Sequence, residues 1–291
     1  MQITIRQLEI FRAICQNGTI TGAARQIGLS QAAMSQALAE LENQLRRRLF
    51  DRHGRRISVN AAGREVLPAA VRVLDQVREI EAGAARPHLS AKLFASLTVG
   101  NYMLPPLIAR FTRRHPDARF QVAIGNTNQV VRSVQQFESD AGWIEGLSRH
   151  PDLYAIPWRE DRLVIFAAAK HPLAGRRVPA SALAGSRWVL REPGSGTRSV
   201  FEEAIKGACE LAHAPVELGG IGAVKRAVMA GAGLGCLSQS AIEPELKAGQ
   251  LRRVFVRGLN LRRQITLVIH REKYIDAAMK EFLQFCGFTL P

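Results

Sequence analysis

Apolar residues recur at helical spacing through the first 60 positions, and glycines break the pattern into three short pieces. Ile5, Leu8, Phe11, Ala13 and Cys15 mark a helix over residues 5–16 that ends at Asn17-Gly18. Thr19 or Thr21 is placed to cap a second helix through Ala23, Ala24 and Ile27, and Gly28-Leu29 makes a tight turn. Ser30 then caps a third, from Gln31 to Leu45, that buries Met34, Leu38, Leu41 and Leu45. Its outward face carries Gln31, Ala32, Ser35, Gln36 and Ala39. Residues 51–59 read as a hairpin turn with basic flanks. Asn60 caps a long helical pattern with Val66, Leu67, Ala70, Val73, Leu74, Val77 and Ile80 along one side. Pro68 falls in its early turns, where a bend is expected. Gly83 to His88 reads as a hinge.

Beyond the hinge the period changes, and strands alternate with amphipathic helices. Strands are expected near Phe120–Ile124, Ala141–Ile144, Leu163–Ala168, Trp188–Leu190, Gly233–Ser238 and Ile265–His270. Helices are expected near 102–114, 127–137, 198–211, 221–230, 240–247 and 275–286. That alternation predicts an α/β domain with parallel sheets, and its length suits two lobes around a cleft. The expected division is 1–60, 61–86 and 87–291, with one lobe at about 92–161 and 266–291 and the other at about 162–265.

Two helices joined by a short glycine turn, the second bearing amide and small side chains, describe a helix-turn-helix. The outward residues suit the major groove: glutamine can pair with adenine N7 and N6, and alanine can meet a thymine methyl. Ser30, Gln31, Ala32, Ser35 and Gln36 are therefore the candidate base readers. Arg52, Arg55 and Arg56 on the hairpin would lie against phosphates as a wing. The formal charge of +15 alone would mean only a solvated basic surface. Its placement adds more: Arg46, Arg47, Arg48, Arg52, Arg55 and Arg56 fall within eleven residues. The long helix suits pairing with a second copy, because two-fold symmetric readers match paired half-sites; packing on the chain's own core is the alternative.

Other features narrow the function. No apolar run approaches the ~18–20 residues of a membrane span, and the N-terminus lacks the pattern of an export signal, so a cytoplasmic protein without membrane contact is expected. Cys15, Cys209, Cys236 and Cys286 show no metal-ligand spacing and read as packed thiols rather than a redox pair. No catalytic residues, metal or cofactor are expected. Gly194-Ser195-Gly196 is not a nucleophile elbow, and Gly219–Gly222 and Gly231–Gly235 lack phosphate-loop spacing and read as close backbone packing. An enzyme and a plain solute-binding protein remain the rival readings, the second opposed by the basic N-terminal segment.

Several ordered segments carry a family resemblance: Leu8-Glu9-Ile10-Phe11, Ala23-Ala24, Leu29-Ser30-Gln31, Ser35, Leu41-Glu42, Arg48-Leu49-Phe50-Asp51-Arg52 and Ala62-Gly63. Residues 1–64 resemble the DNA-binding end of LysR-type transcriptional regulators, and the similarity continues along the whole chain. The resemblance implies a winged helix-turn-helix, a long dimerising linker helix, and a two-lobed effector domain like periplasmic solute-binding proteins. The implied partners are promoter DNA, further copies in a homotetramer, a small effector and RNA polymerase. Ala32 stands where the family often has Pro, Gln36 where it often has Arg, and Arg46 where Gly is common. Base preference therefore cannot be transferred; Gln36 should favour adenine.

The effector half further resembles the subgroup linked to sulfur assimilation and sulfite, through residues 95–105, Gly125-Asn126-Thr127, Ile144-Glu145-Gly146 and residues 191–198. That resemblance implies a sulfur oxyanion as the signal. The residues suit a small anion. Ser96 and Thr98 precede one helix, Asn126 and Thr127 open another, and Ser195 and Thr197 precede a third, with Glu145 nearby and Arg198 expected to supply charge. Helix capping would explain any one of these starts alone.

Gln36→Ala is expected to relax base preference at one position, costing about 1–3 kcal/mol, whereas Arg55→Ala should weaken binding to every sequence and flatten its salt dependence. Gel shifts on specific and random duplexes check this; equal losses on both for Gln36→Ala would contradict its role.

Overall fold

The computed structural model describes residues 3–53, 56–82, 89–146 and 150–289. Three helices open the chain: α1 (Ile5–Asn17), α2 (Ile20–Ile27) and α3 (Gln31–Leu45). Each begins on a side-chain cap, with Thr4 accepting from the Gln7 N–H, Thr19 from Gly22 and Ser30 from Ala33. Gly18 and Gly28 end the first two in the left-handed conformation. The third ends on Arg46 at φ 51°, a conformation that costs a side-chain-bearing residue about 1–2 kcal/mol. β1 (Phe50–His53) and β2 (Arg56–Val59) then pair antiparallel, with His53 opposite Arg56. Gly54 and Arg55, and the expected hinge at 83–88, lie outside the described residues.

One helix, α4 (Ala61–Ala82), runs through Pro68. Its apolar stripe divides. Leu67, Ala70 and Val71 pack into the core of the first domain with Ile10, Phe11, Met34 and Leu38, and Leu74 is buried as well. Val73 (41% exposed) and Ile80 (79%) stay outside. Packing on the chain's own core thus takes one side of the helix and leaves the other open.

The remaining chain forms two lobes. The first holds β3 (Ser90–Ser96), a π-helical turn at Val99–Met103, α5 (Leu104–Arg114), β4 (Arg119–Gly125), α6 (Thr127–Gln135) and β5 (Ala141–Glu145). β6 (Leu153–Ala168) then crosses into the second, which adds β7 (Arg177–Val178), β8 (Trp188–Arg191), α7 (Gly196–Ile205) and β9 (Val216–Leu218). It continues with α8 (Ile221–Met229), β10 (Leu234–Ser238), α9 (Gln239–Lys247) and β11 (Leu251–Val256). β12 (Arg262–His270) returns to the first lobe, and α10 (Ala277–Phe285) closes it. Strand order is β4-β3-β5-β12-β6-β10-β8-β9.

The sheets are mixed, not purely parallel. β3 is parallel to β4 and β5, and β8 to β9 and β10. β12 runs antiparallel to β5 and β6, and β6 antiparallel to β10 and β11. The cause is the double crossing: the chain leaves one lobe on β6 and comes back on β12, and a path out and back must pair head to tail. β3, β9, β11 and the first half of β6 are strands that the apolar pattern does not predict; their exposed positions carry Lys92, Glu217, Arg252 and Glu160, which dilute the signal. Within Gly231–Gly235, a side chain at Gly233 would strike the Arg187 carbonyl and one at Gly235 the Phe166 ring, so packing explains those two. Gly219 and Gly220 face open space, so close packing does not explain them.

The first domain rests on the first lobe. Phe137, just after α6, is buried in the N-terminal core, and the Gln16 amide donates to its carbonyl at 3.4 Å. Lys273 bridges Asp75 of α4 (2.6 Å) and Asp140 (3.0 Å), and Arg72 pairs with Glu272.

Arg46→Gly should raise thermal stability by up to about 1 kcal/mol, the relief of left-handed strain outweighing the looser unfolded chain. An unchanged or lower melting midpoint would contradict strain at Arg46.

Candidate functional site

Gln31, Ala32 and Gln36 are exposed on α3 and Ser35 is partly so, which puts four of the candidate base readers on one open face. Ser30 is spent as the helix cap, although its side chain remains exposed. Gln36 is not free: its amide donates to Glu40 at 3.0 Å. That bond uses one of the two amide N–H groups and leaves the other, with the amide oxygen, free to pair. Arg52 and Arg56 lie on β1 and β2, with Arg52 opposite Ile57 and Arg56 opposite His53.

Between the lobes the structure gathers Thr98, Glu145 and Thr197 around a residue that the sequence pattern does not single out. Arg263, almost wholly buried, donates from Nη1 to Glu145 Oε2 (2.7 Å) and Thr197 Oγ1 (2.9 Å). Its Nη2 donates to Thr98 Oγ1 (3.0 Å), and its Nε to Asp161 Oδ2 (2.7 Å). The Ser238 hydroxyl donates to the other Asp161 oxygen at 2.7 Å, the Thr98 N–H to Glu145 Oε1 at 3.1 Å, and the Thr197 hydroxyl to Glu145 Oε2 at 2.8 Å. Burial would raise the Glu145 carboxyl, but Arg263 and the hydrogen bonds from Thr98 and Thr197 outweigh it and hold it at about 2. Thr98 comes from the first lobe and Thr197 from the second, so this one network spans the cleft.

The expected capping roles separate. Asn126 does cap α6, in a box with Gln129, and its amide also reaches Glu192 of the other lobe at 3.3 Å. Thr127 accepts from the Glu145 N–H at 3.4 Å. Neither Thr98 nor Ser195 makes a side-chain cap. The hydroxyls of Ser96 (2% exposed) and Ser195 (1%) are buried without a hydrogen-bond partner. Each lobe therefore presents a Ser-x-Thr segment, Ser96-Leu97-Thr98 and Ser195-Gly196-Thr197, with the threonine tied to Arg263 and the serine unsatisfied. The lobes touch here: a Cβ at Gly196 would strike the Glu145 carbonyl.

Arg198 does not supply the charge of this cleft. It donates to Glu202 and Glu217, which neutralise it on the outer side of α7. Arg263 takes that place. A signal for it exists in the sequence: it shares strand parity with the buried Ile265, Leu267 and Ile269.

The N-terminal segment, residues 5–64, matches the model for the bacterial regulatory helix-turn-helix protein, lysR family, and residues 85–289 match the LysR substrate binding domain. The chain belongs to the LysR family. It is a LysR-type DNA-binding transcriptional regulator with an effector-binding domain. The HTH-type regulator YeiE of Escherichia coli K12 is 40% identical over 98% of each chain, and CysL of Bacillus subtilis 29% over 90% of this chain and 89% of that one. The sulfur-linked subgroup is thus one distant relative among several LysR regulators. These relatives are transcriptional regulators, not enzymes. A full-length OxyR variant from Pseudomonas aeruginosa superposes at TM-score 0.77 over 99% of this chain and 94% of that one, at 21% identity. CbnR complexed with its target DNA superposes at 0.57 over 98% and 99%, at 20%. The Synechocystis CcmR regulatory domain in complex with 2-PG superposes at 0.61 over 68% and 95%, at 25%.

Among the described residues no helix is long and apolar enough to cross a membrane, and no group of His, Cys, Asp and Glu could hold a metal. Burial pushes the thiols of Cys236 and Cys286 up to about 12 and that of Cys15 higher still, which disfavours the reactive thiolate.

Above its ordinary 4.5 the Glu145 carboxyl is ionised in folded and unfolded chains alike, and its full contribution to stability is present. As pH falls from there towards 2 only the unfolded chain gains the proton, so this stabilisation, on the order of 3 kcal/mol, is lost. Glu145→Gln should lower stability at neutral pH and flatten the acid limb of urea midpoint against pH. An acid limb as steep as wild type would contradict the assignment.

Proposed function

We propose that the protein binds promoter DNA as a homotetramer in the cytoplasm, sets access for RNA polymerase, and responds to a small oxyanion held between its lobes. Gln31, Ala32, Ser35 and Gln36 read base edges in the major groove, while Arg52, Arg55 and Arg56 hold the flanking phosphates. Exposed Val73 and Ile80, one heptad apart on α4, form the seam between paired chains. CbnR with its target DNA and CcmR with 2-PG support the two halves of this reading.

The observation that carries the effector site is the pair of unsatisfied serines, one from each lobe. A buried hydroxyl without a partner costs about 1–3 kcal/mol, and a ligand that bonds both recovers it while joining the lobes. Amides at the start of α7 add donors that suit an anion. Two carboxylates face one guanidinium in the network, so a singly protonated oxyanion, able to donate as well as accept, fits better than a dianion. Hydrogensulfite has that chemistry, in keeping with the sulfur-linked resemblance. Because the lobes already touch at Gly196, entry requires them to part, and their reclosing on the ligand changes the pose of the DNA-binding domain.

Calorimetry on the full chain tests this. Sulfite should bind once per chain and more tightly than sulfate, and Ser96→Ala and Ser195→Ala should each weaken it at least tenfold with DNA affinity kept. Unchanged sulfite binding in both serine variants would remove the site.

A further inference from the structure

A cavity opens beside β6 and β11. β11 pairs with β6 only as far as Val254 opposite Ile165, then turns away to pair with β7, Phe255 opposite Arg177. The fork left between β6 and β11 is closed at its far end by the chain leading to β12, where the Leu163 N–H meets the Leu261 carbonyl. It encloses about 300 Å³.

Its lining is chemically one-sided. Arg162, Arg177, Arg253 and Arg257 all line it and no Asp or Glu does. Among the described residues none of the four makes an ion pair, and a fifth lining arginine, Arg262, reaches only Glu160 at 3.8 Å. Glu243 offsets part of the Arg253 charge from outside the lining. With no carboxylate in the wall itself the guanidiniums repel one another, and a multiply charged anion relieves that repulsion while filling several guanidinium forks. Between the arginines the wall is aliphatic except for Asn260, and Phe255, 45% exposed, offers an aromatic face. Such a wall is wasted on an inorganic ion but suits a ligand with a ring.

We propose that this fork is a binding site for a phosphorylated metabolite bearing a planar ring, of the nucleoside diphosphate class, separate from the interlobe cleft. The phosphates lie among Arg162, Arg177 and Arg257, and the ring lies against Phe255. The position gives it leverage on the cleft. Arg262 pairs with Arg162 and Arg263 with Asp161 across the same two strands, so consecutive residues alternate between the fork and the buried network. An anion that draws Arg162 and Arg262 together bears directly on the strands that hold Arg263 against Asp161.

The test is calorimetric titration of full-length protein with ADP, without divalent metal, alongside adenosine. One ADP per chain should bind, with adenosine at least tenfold weaker. R177A/R257A should lose at least tenfold in ADP affinity, R177K/R257K should recover part of it, and Ser96→Ala should leave it unchanged. Arg177 and Arg257 are exposed, so melting midpoints of the arginine variants should stay at the wild-type value. No ADP binding to wild type, or equal binding by R177A/R257A, would overturn the proposal. A parallel loss of affinity for random duplex DNA in R177A/R257A would also overturn it, since the arginines would then belong to the DNA-contacting surface.

Discussion

A single guanidinium, Arg263, holds two carboxylates and two threonines from both sides of a closed cleft. Stripping these charges of water costs several kcal/mol per ion, and only near-complete hydrogen bonding recovers it. Nearly every donor of Arg263 is used, and Asp161 and Glu145 each have further partners in Ser238 and the two threonines. The arrangement is therefore stable only while both lobes are in place. Loss of Thr98 or Thr197 from the network would leave buried charge underbonded, so parting the lobes has to break the network as a unit.

β12 carries that condition to the DNA-binding end. Arg263 stands near its start and His270 at its close, where the imidazole packs on Phe137 with ring centres 4.1 Å apart. Phe137 in turn is buried in the N-terminal core, held there at φ 54°, a conformation unfavourable for any residue with a Cβ. Three residues beyond the strand, Lys273 joins Asp140 of the lobe to Asp75 of α4. Burial works against its charge, but the two carboxylates outweigh that and raise its affinity for the proton. One strand thus touches the cleft network at one end and the seat of the helix-turn-helix at the other. Such contiguity between two sites is the minimum that coupling needs.

What could be read from the sequence followed the range of the interactions. The helix-turn-helix is specified by neighbours three or four apart: Thr4 with Gln7, Thr19 with Gly22, Ser30 with Ala33. Periodicity finds such elements directly. The Ser-x-Thr segments stand out for the same reason, as helix starts. Arg263 escapes because its partners lie 66 to 165 positions away, beyond any local pattern, although its place on the apolar side of a strand marks it as unusual. Arg198 is suggested for the cleft by proximity in sequence, while Glu202 four residues on is the partner its helix offers. The parallel-sheet expectation fails on topology, since a strand-helix alternation does not reveal that β6 and β12 each cross between lobes. The stripe on α4 is correct as a stripe, but one period serves two surfaces, the domain's own core and an exposed apolar face.

The most direct measurement of this account is a double-mutant cycle in urea between Thr98→Val and Thr197→Val, one residue from each lobe, both bound to Arg263 and Glu145. If one network ties the lobes, the two losses will be non-additive, with a coupling of about 1–3 kcal/mol that disappears in an Arg263→Met background. Additive losses within about 0.5 kcal/mol would mean that the lobes are held independently, and the account of the network as a unit would fail.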